Sequence, residues 1–197
     1  MITQVHSESL PLPAAFPVRL FSVAEYHRLA EVGVLTQDDR VELLEGVISP
    51  KIVHSPIHDA TVSVVEQLLR ARLLPGWFLR VQSSISLPTS EPEPDIAIVK
   101  GPPSRYTQAH PAGQDIALVV EVAESSLSRD HRKAMTYADG HIRCYWIINL
   151  QSRTLEVYDR PDQGLYSRQR ILKASEMPEC IDALDPDVPL TVGDLFV

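Results

Sequence analysis

Two short, almost unbroken apolar runs constrain this chain most: DIAIV at residues 95–99 and IALVVEV at residues 116–122. Runs of this length without polar alternation read as strands covered on both faces, as in a central sheet with helices on each side. Each run carries an acid. Asp95 opens the first and Glu121 stands near the end of the second. A carboxylate ending a buried run costs on the order of several kcal/mol unless a cation or hydrogen bonds compensate it. A helix predicted from about residue 128 to 138 follows, carrying Asp130 and Lys133. Two such acids with a lysine nearby suggest a divalent-metal site for phosphodiester chemistry.

Cap and turn signals organise the rest. Ser22 and Glu25 form a capping box that opens a helix through about Ala30, stopping near Gly33. Residues 41–48 read as a hairpin turning at Glu45 and Gly46, its return strand passing Lys51. Ser55 and Pro56 start a second helix with Ile57, Ala60, Val64, Leu68 and Ala71 at helical spacing, ended by Pro75 and Gly76. A strand over residues 78–87 precedes the two apolar runs, and a Pro- and Gly-bearing loop at 101–113 separates them. Further strands are predicted at 145–150, 154–159 and 166–172. Residues 1–20 are proline-punctuated and read as a loose arm. Residues 21–197 read as a single domain, its proline-broken tail anchored by Leu190, Val192 and Leu195.

This order predicts an α/β (α+β) fold: a mixed β-sheet flanked by helices, with an N-terminal helix and β-hairpin in front. Hairpins at both ends argue against a wholly parallel, doubly wound sheet. The strands at 145–148 and 154–158 are expected to leave an edge that needs covering, which predicts a homodimer.

If the two acid-bearing strands are neighbours, Asp95 and Glu121 lie at one end of the sheet. Mg²⁺, with Mn²⁺ as a substitute, needs only one or two carboxylates plus substrate phosphate. Such a cation polarises the phosphoryl group and activates water, while a lysine ammonium steadies developing charge or orients that water. Plainer readings stand beside this one. Asp95 follows Pro94 and could cap a strand entry, and Glu121 could serve structure alone. Lys133 and Asp130 have the spacing of a solvated helical pair. Glu42 could sit on an exposed hairpin face, and His58 could be a surface or packing residue.

The net charge of −8 argues against broad affinity for nucleic acid but leaves room for a local basic groove. Cys144 and Cys180 have no framework spacing, and Cys144, in a predicted strand, reads as a buried reduced thiol. No targeting signal is visible and no apolar stretch reaches the ~18 residues of a spanning helix. These features predict a soluble, cytoplasmic protein with no membrane partner. Zinc spacing, GxSxG, P-loop and GxGxxG motifs are absent from the sequence.

The ordered fragments resemble the Uma family of bacterial restriction-endonuclease-like proteins, a branch of the PD-(D/E)xK nuclease superfamily. They are Val41 to Gly46, His58, Pro92 to Asp95, Val120 to Val122, Ser125 to Leu127, Asp130, Lys133, Tyr137 with Ala138, Tyr145 to Ile147, and Asp194 to Phe196. The likeness runs from about Phe21 to the C-terminus. It implies a nuclease core and a magnesium-dependent site acting on DNA. By position, Asp95 matches the metal-binding aspartate, Glu121 the acid of the (D/E)xK element and Glu42 the additional upstream acid. The chain departs from the parent motif at Ala123, where the lysine should stand. The family resemblance implies that Lys133, on the following helix, takes its place. A helix rises about 1.5 Å per residue, so Lys133 lies only one or two turns in. Cys144 and Asn149 also depart from the family pattern, at positions that are not proposed ligands.

The first functional reading is a DNA endonuclease with Asp95, Glu121, Lys133 and Glu42 as its catalytic group. Arg129, Arg132 and Arg80 would meet phosphates. The alternative is a catalytically inactive nuclease-fold protein serving as a DNA- or protein-binding module, motivated by the acidic total charge and by Ala123. A third is an interaction protein whose acids are structural.

Overall fold

The computed structural model describes residues 17–36, 38–179 and 181–197. Cys180 and most of the predicted arm lie outside them. Helix α1 (Val23–Glu31) begins at the Ser22–Glu25 capping box, with both reciprocal bonds formed. Strands β1 (Val41–Leu44) and β2 (Val47–Pro50) pair antiparallel. Their two-residue link, Glu45 and Gly46, has φ of 50° and 78°, the left-handed pair that matches strand twist. A side chain on Gly46 would approach Leu20 Cβ to 2.7 Å, so the turn admits no bulk.

Helix α2 (Pro56–Arg70) is capped by the Ser55 hydroxyl and stops at Ala71 instead of running to Pro75. Its buried face is His58, Thr61, Val62, Val65 and Leu69, while Ile57, Ala60 and Ala71 are exposed and Val64 and Leu68 half-buried. Two apolar rows lie side by side on this helix. Packing against the sheet, which periodicity does not encode, chose between them.

Strand β3 (Trp77–Val81) is shorter than predicted, because the chain leaves the ladder at Gln82, φ 44°. Residues 82–95 make an excursion closed by Gln82 N–H to Asp95 O, 3.0 Å, and Ile85 N–H to Pro92 O, 3.0 Å. The excursion touches the hairpin through a Leu43–Glu91 bridge. It thereby delivers Asp95 to the start of β4 (Ile96–Lys100). The loop after β4 contains two 3-10 turns, Pro103–Tyr106 and Gly113–Asp115.

β5 (Ile116–Ala123), α3 (Leu127–Asp139), β6 (Cys144–Asn149), β7 (Thr154–Asp162) and β8 (Leu165–Leu172) complete the core. The sheet order is β3-β4-β5-β6-β7-β8. Neighbours are antiparallel except β5 and β6, which run parallel and are joined across one face by α3. The mixed sheet flanked by helices, with helix and hairpin in front, is the fold the sequence predicted.

Strand residues alternate between two cores. On one face, Ile96, Ile98, Val120, Val122, Trp146 and Ile148 pack with Val62, Val65 and Leu69 of α2 and with Leu190, Val192 and Leu195 of the tail. On the other, Ala97, Val99, Val119, Tyr145 and Ile147 pack with Ala134 and Tyr137 of α3. Residue 121 falls in this second series, so Glu121 is aimed at α3. Cys144 is buried, as expected.

One expectation is corrected. β6 and β7 are interior strands, so they leave no edge to cover. The β-branched and aromatic residues that suggested an edge are instead buried between neighbours and two packed faces. The outer strand on that side is β8, whose residues alternate between exposed and half-buried. Among the described residues no helix is long and apolar enough to cross a membrane.

Candidate active site

The antiparallel register pairs Ile96 with Val120, which sets Asp95 opposite Glu121 one step further on. Both acids are buried, 5% exposed each. Both line a cleft of about 860 Å³ bounded by α1, the hairpin, the 51–55 segment and the start of α3. Asp95 Oδ2 accepts the Val122 N–H at 2.8 Å and lies 3.1 Å from His58 Nε2. Glu121 Oε1 accepts from Lys133 Nζ at 2.9 Å and from the Tyr137 hydroxyl at 2.6 Å. Among the described residues, Asp95 Oδ1 and Glu121 Oε2 receive no hydrogen bond. Each acid thus commits one oxygen to the protein.

Lys133 is 7% exposed. The solvated pairing with Asp130 is therefore not what forms. The lysine points back at the sheet, 2.9 Å from Glu121 and 3.5 Å from Glu42 Oε1. Glu42 is not on an exposed hairpin face either: it is 4% exposed. Its Oε1 takes Arg129 at 2.7 Å and its Oε2 takes the Glu93 N–H at 3.2 Å. Arg129 also donates to Pro50 O at 2.8 Å, tying α3 to the hairpin. Asp130 is buried too and accepts from the Ser126 hydroxyl at 2.5 Å. Arg132 is exposed on α3. Arg80 lies on β3, half-buried, donating to Ser84 O at 3.3 Å. It does not line the cleft, so it is misplaced for a phosphate there.

Burial pushes the Glu121 carboxyl up to about 8; Lys133 pulls against that rise, and Asp95 and Asp130 add to it. Burial likewise raises Asp130, against its Ser126 bond and Lys133. Burial opposes the charge on Lys133, but Glu121, Glu42 and Asp130 outweigh it and hold the ammonium firmly protonated. A charged lysine thus sits among acids whose negative charge it compensates only in part. A divalent cation between Asp95 and Glu121 would supply what is missing, and all-oxygen donors suit Mg²⁺ or Mn²⁺. The donor set fits the group.

A family model described as "Uma2: Putative restriction endonuclease" matches residues 23–193. The chain belongs to that family. The Uma2 match takes in Asp95, Glu121, Lys133, Glu42, Arg129 and His58. In fold the chain is similar to the crystal structure of "a putative nuclease belonging to DUF820 from Anabaena variabilis ATCC 29413". The TM-score is 0.69 and the identity 16%, over 84% of this chain and 94% of that one. At that identity the likeness bears on fold alone. No curated protein matches.

Sequence reasoning missed Tyr137 as the second donor to Glu121. Its position four residues after Lys133 puts both on one helix face, and that was the available signal. It also missed His54, grouped with His58 and Asp95 within 4.8 Å, and Asp59, which stands beside both imidazoles; both depend on how α2 packs.

Proposed function

We propose that this Uma-family chain is a divalent-metal-dependent endonuclease hydrolysing phosphodiester bonds of DNA, with Mg²⁺ as its ion and Mn²⁺ as a substitute. One observation carries the reading: Asp95 and Glu121, one step beyond the Ile96–Val120 pair, both line an open cleft, with Lys133 Nζ 2.9 Å from Glu121. Asp95 and Glu121 would hold the cation through their uncommitted oxygens. Bound there, it supplies Lewis-acid polarisation of the phosphoryl group.

The chain's own groups do the rest. The Lys133 ammonium stabilises charge developing on the phosphate or orients the attacking water. Tyr137 fixes Glu121 so that the lysine meets it in one geometry. Glu42 completes the acidic cluster and, with Arg129, holds the hairpin over α3. Arg129 and exposed Arg132 are the phosphate contacts. His58 braces Asp95. Residues 21–197 act as one nuclease unit. Exposed Leu165 and Ile171, 58% and 61%, support β8 as the contact strand of the expected homodimer. A monomer in sedimentation equilibrium at micromolar concentration would refute that last point.

The test is cleavage of plasmid and single-stranded DNA with Mg²⁺ or Mn²⁺. Wild type should cut, and Asp95→Ala and Glu121→Ala should each lose on the order of 10²-fold or more. Cleavage unchanged in both variants refutes the assignment. A wild type that binds DNA but never cuts supports the binding-module alternative.

A further inference from the structure

We infer that the cleft holds a second cation position, built by His54, His58 and Asp95 and selective for a first-row divalent ion of the Zn²⁺ class. It goes beyond the nuclease reading, sharing with it Asp95 and the His58 that braces it. The donor atoms of these three residues all lie within 4.8 Å of one another. The His58 Nε2–Asp95 Oδ2 separation is 3.1 Å. Two donors about 2.0–2.2 Å from one cation stand roughly 3.0–3.5 Å apart, so this pair already has the spacing of neighbouring ligands. The two imidazoles are stacked, 4.1 Å between centroids and 28° between planes. His54 belongs to the irregular 51–55 segment before α2, so a small swing closes the remaining gap.

A second, independent feature points the same way. Asp59 Oδ1 lies 3.4 Å from Nδ1 of His58 and 3.5 Å from Nδ1 of His54. One carboxylate thus faces the same nitrogen of both rings, so each Nδ1 can keep its proton directed at Asp59 while a cation takes the place of the hydrogen that His58 Nε2 otherwise shares with Asp95. A carboxylate behind a histidine is how metal-bound imidazoles are usually oriented. The Gln82 amide, 3.1 Å from His54 Nδ1, offers its oxygen for the same purpose once turned over. Two imidazoles and one carboxylate, with room in the cleft for water, suit Zn²⁺, Co²⁺ or Ni²⁺ and do not suit Mg²⁺, which prefers oxygen.

Co²⁺ is the probe, because nitrogen ligation gives it visible absorption bands that can be titrated without any activity. Metal-stripped wild type should bind Co²⁺ with such bands, displaced by Zn²⁺ and not by equimolar Mg²⁺. His54→Ala and His58→Ala should each weaken binding tenfold or more, Asp59→Asn a fewfold, and Glu121→Gln less than threefold. Circular dichroism checks that the variants fold, and half-buried His54→Gln stands in should His58→Ala unfold. The inference is overturned by absent Co²⁺ bands, by affinity unchanged in His54→Ala and His54→Gln, or by loss confined to Glu121→Gln. DNA left uncut with every metal while these bands persist would remove the nuclease reading and keep this site.

Discussion

Two groups of buried acids in the described residues are handled differently. At the far side of the sheet, Asp159 of β7 is 2% exposed and meets Arg168 at 2.6 Å and Arg170 at 3.4 Å. Nearby Glu156 takes His131 and the Tyr158 hydroxyl, each at 2.9 Å. Here cations surround the acid. At the cleft, Asp95, Glu121, Glu42 and Asp130 share Lys133 and Arg129, and the acids outnumber the cations. An over-compensated acid fastens β7 to β8. An under-compensated group beside open space leaves unspent affinity for a cation, which is where chemistry can be placed.

That contrast breaks most sharply at Lys133 against Asp159. Lys133→Met should lower DNA cleavage on the order of 10²–10³-fold, because it removes the ammonium beside Glu121. Asp159→Asn should leave the cleavage rate within about twofold and instead lower unfolding free energy by about 3 kcal/mol, the scale for breaking a buried pair. Initial rates with Mn²⁺ and urea unfolding of both variants measure this. Equal rate losses in the two would erase the distinction.

A pH scan sharpens it. A carboxyl that takes its proton near 8 in the folded chain, but near the ordinary 4.5 when unfolded, favours folding below 4.5. It gives up that favour as the pH rises through about 8. With EDTA present, wild type should therefore lose more thermal stability between pH 5 and 8.5 than Glu121→Gln, which mimics the protonated acid throughout. The expected difference is several degrees in Tm. A steeper loss in the glutamine variant would mean that Glu121 is fully compensated as the anion.

Much of this was readable from residue order. The runs 95–99 and 116–122 became adjacent interior strands because, Asp95 and Glu121 apart, nothing in them is polar enough to face water. The acids at their ends were legible for the same reason. What the order did not encode was packing choice. α2 offered two apolar rows, and the buried one carries His58 inward to Asp95. The position of Lys133 was equally ambiguous by spacing, since an i,i+3 acid gives a solvated pair or none. Only the sheet's register, setting Glu121 toward α3, decides it. The edge assigned to β6 and β7 failed because β8, with its polar alternation, covers β7 and takes the outer place. Arg80 failed because, although β3 borders β4, its guanidinium turns to Ser84 O and does not line the cleft.

The smallest expected effect concerns α1, which carries Tyr26 and His27 to the cleft wall yet has no buried residue of its own. Its stability therefore leans on local bonds more than on core packing. The Ser22 hydroxyl accepts the Glu25 N–H at 3.2 Å and Glu25 Oε2 accepts the Ser22 N–H at 3.0 Å. Removing an N-cap hydroxyl costs about 1 kcal/mol. In Ser22→Ala that loss should fall on the helix alone, raising amide exchange in residues 23–31 while core strands β4 and β5 keep their protection. Faster exchange spreading to Val119 and Val120 would mean that this wall of the cleft is coupled to the buried acids and is not merely laid over them.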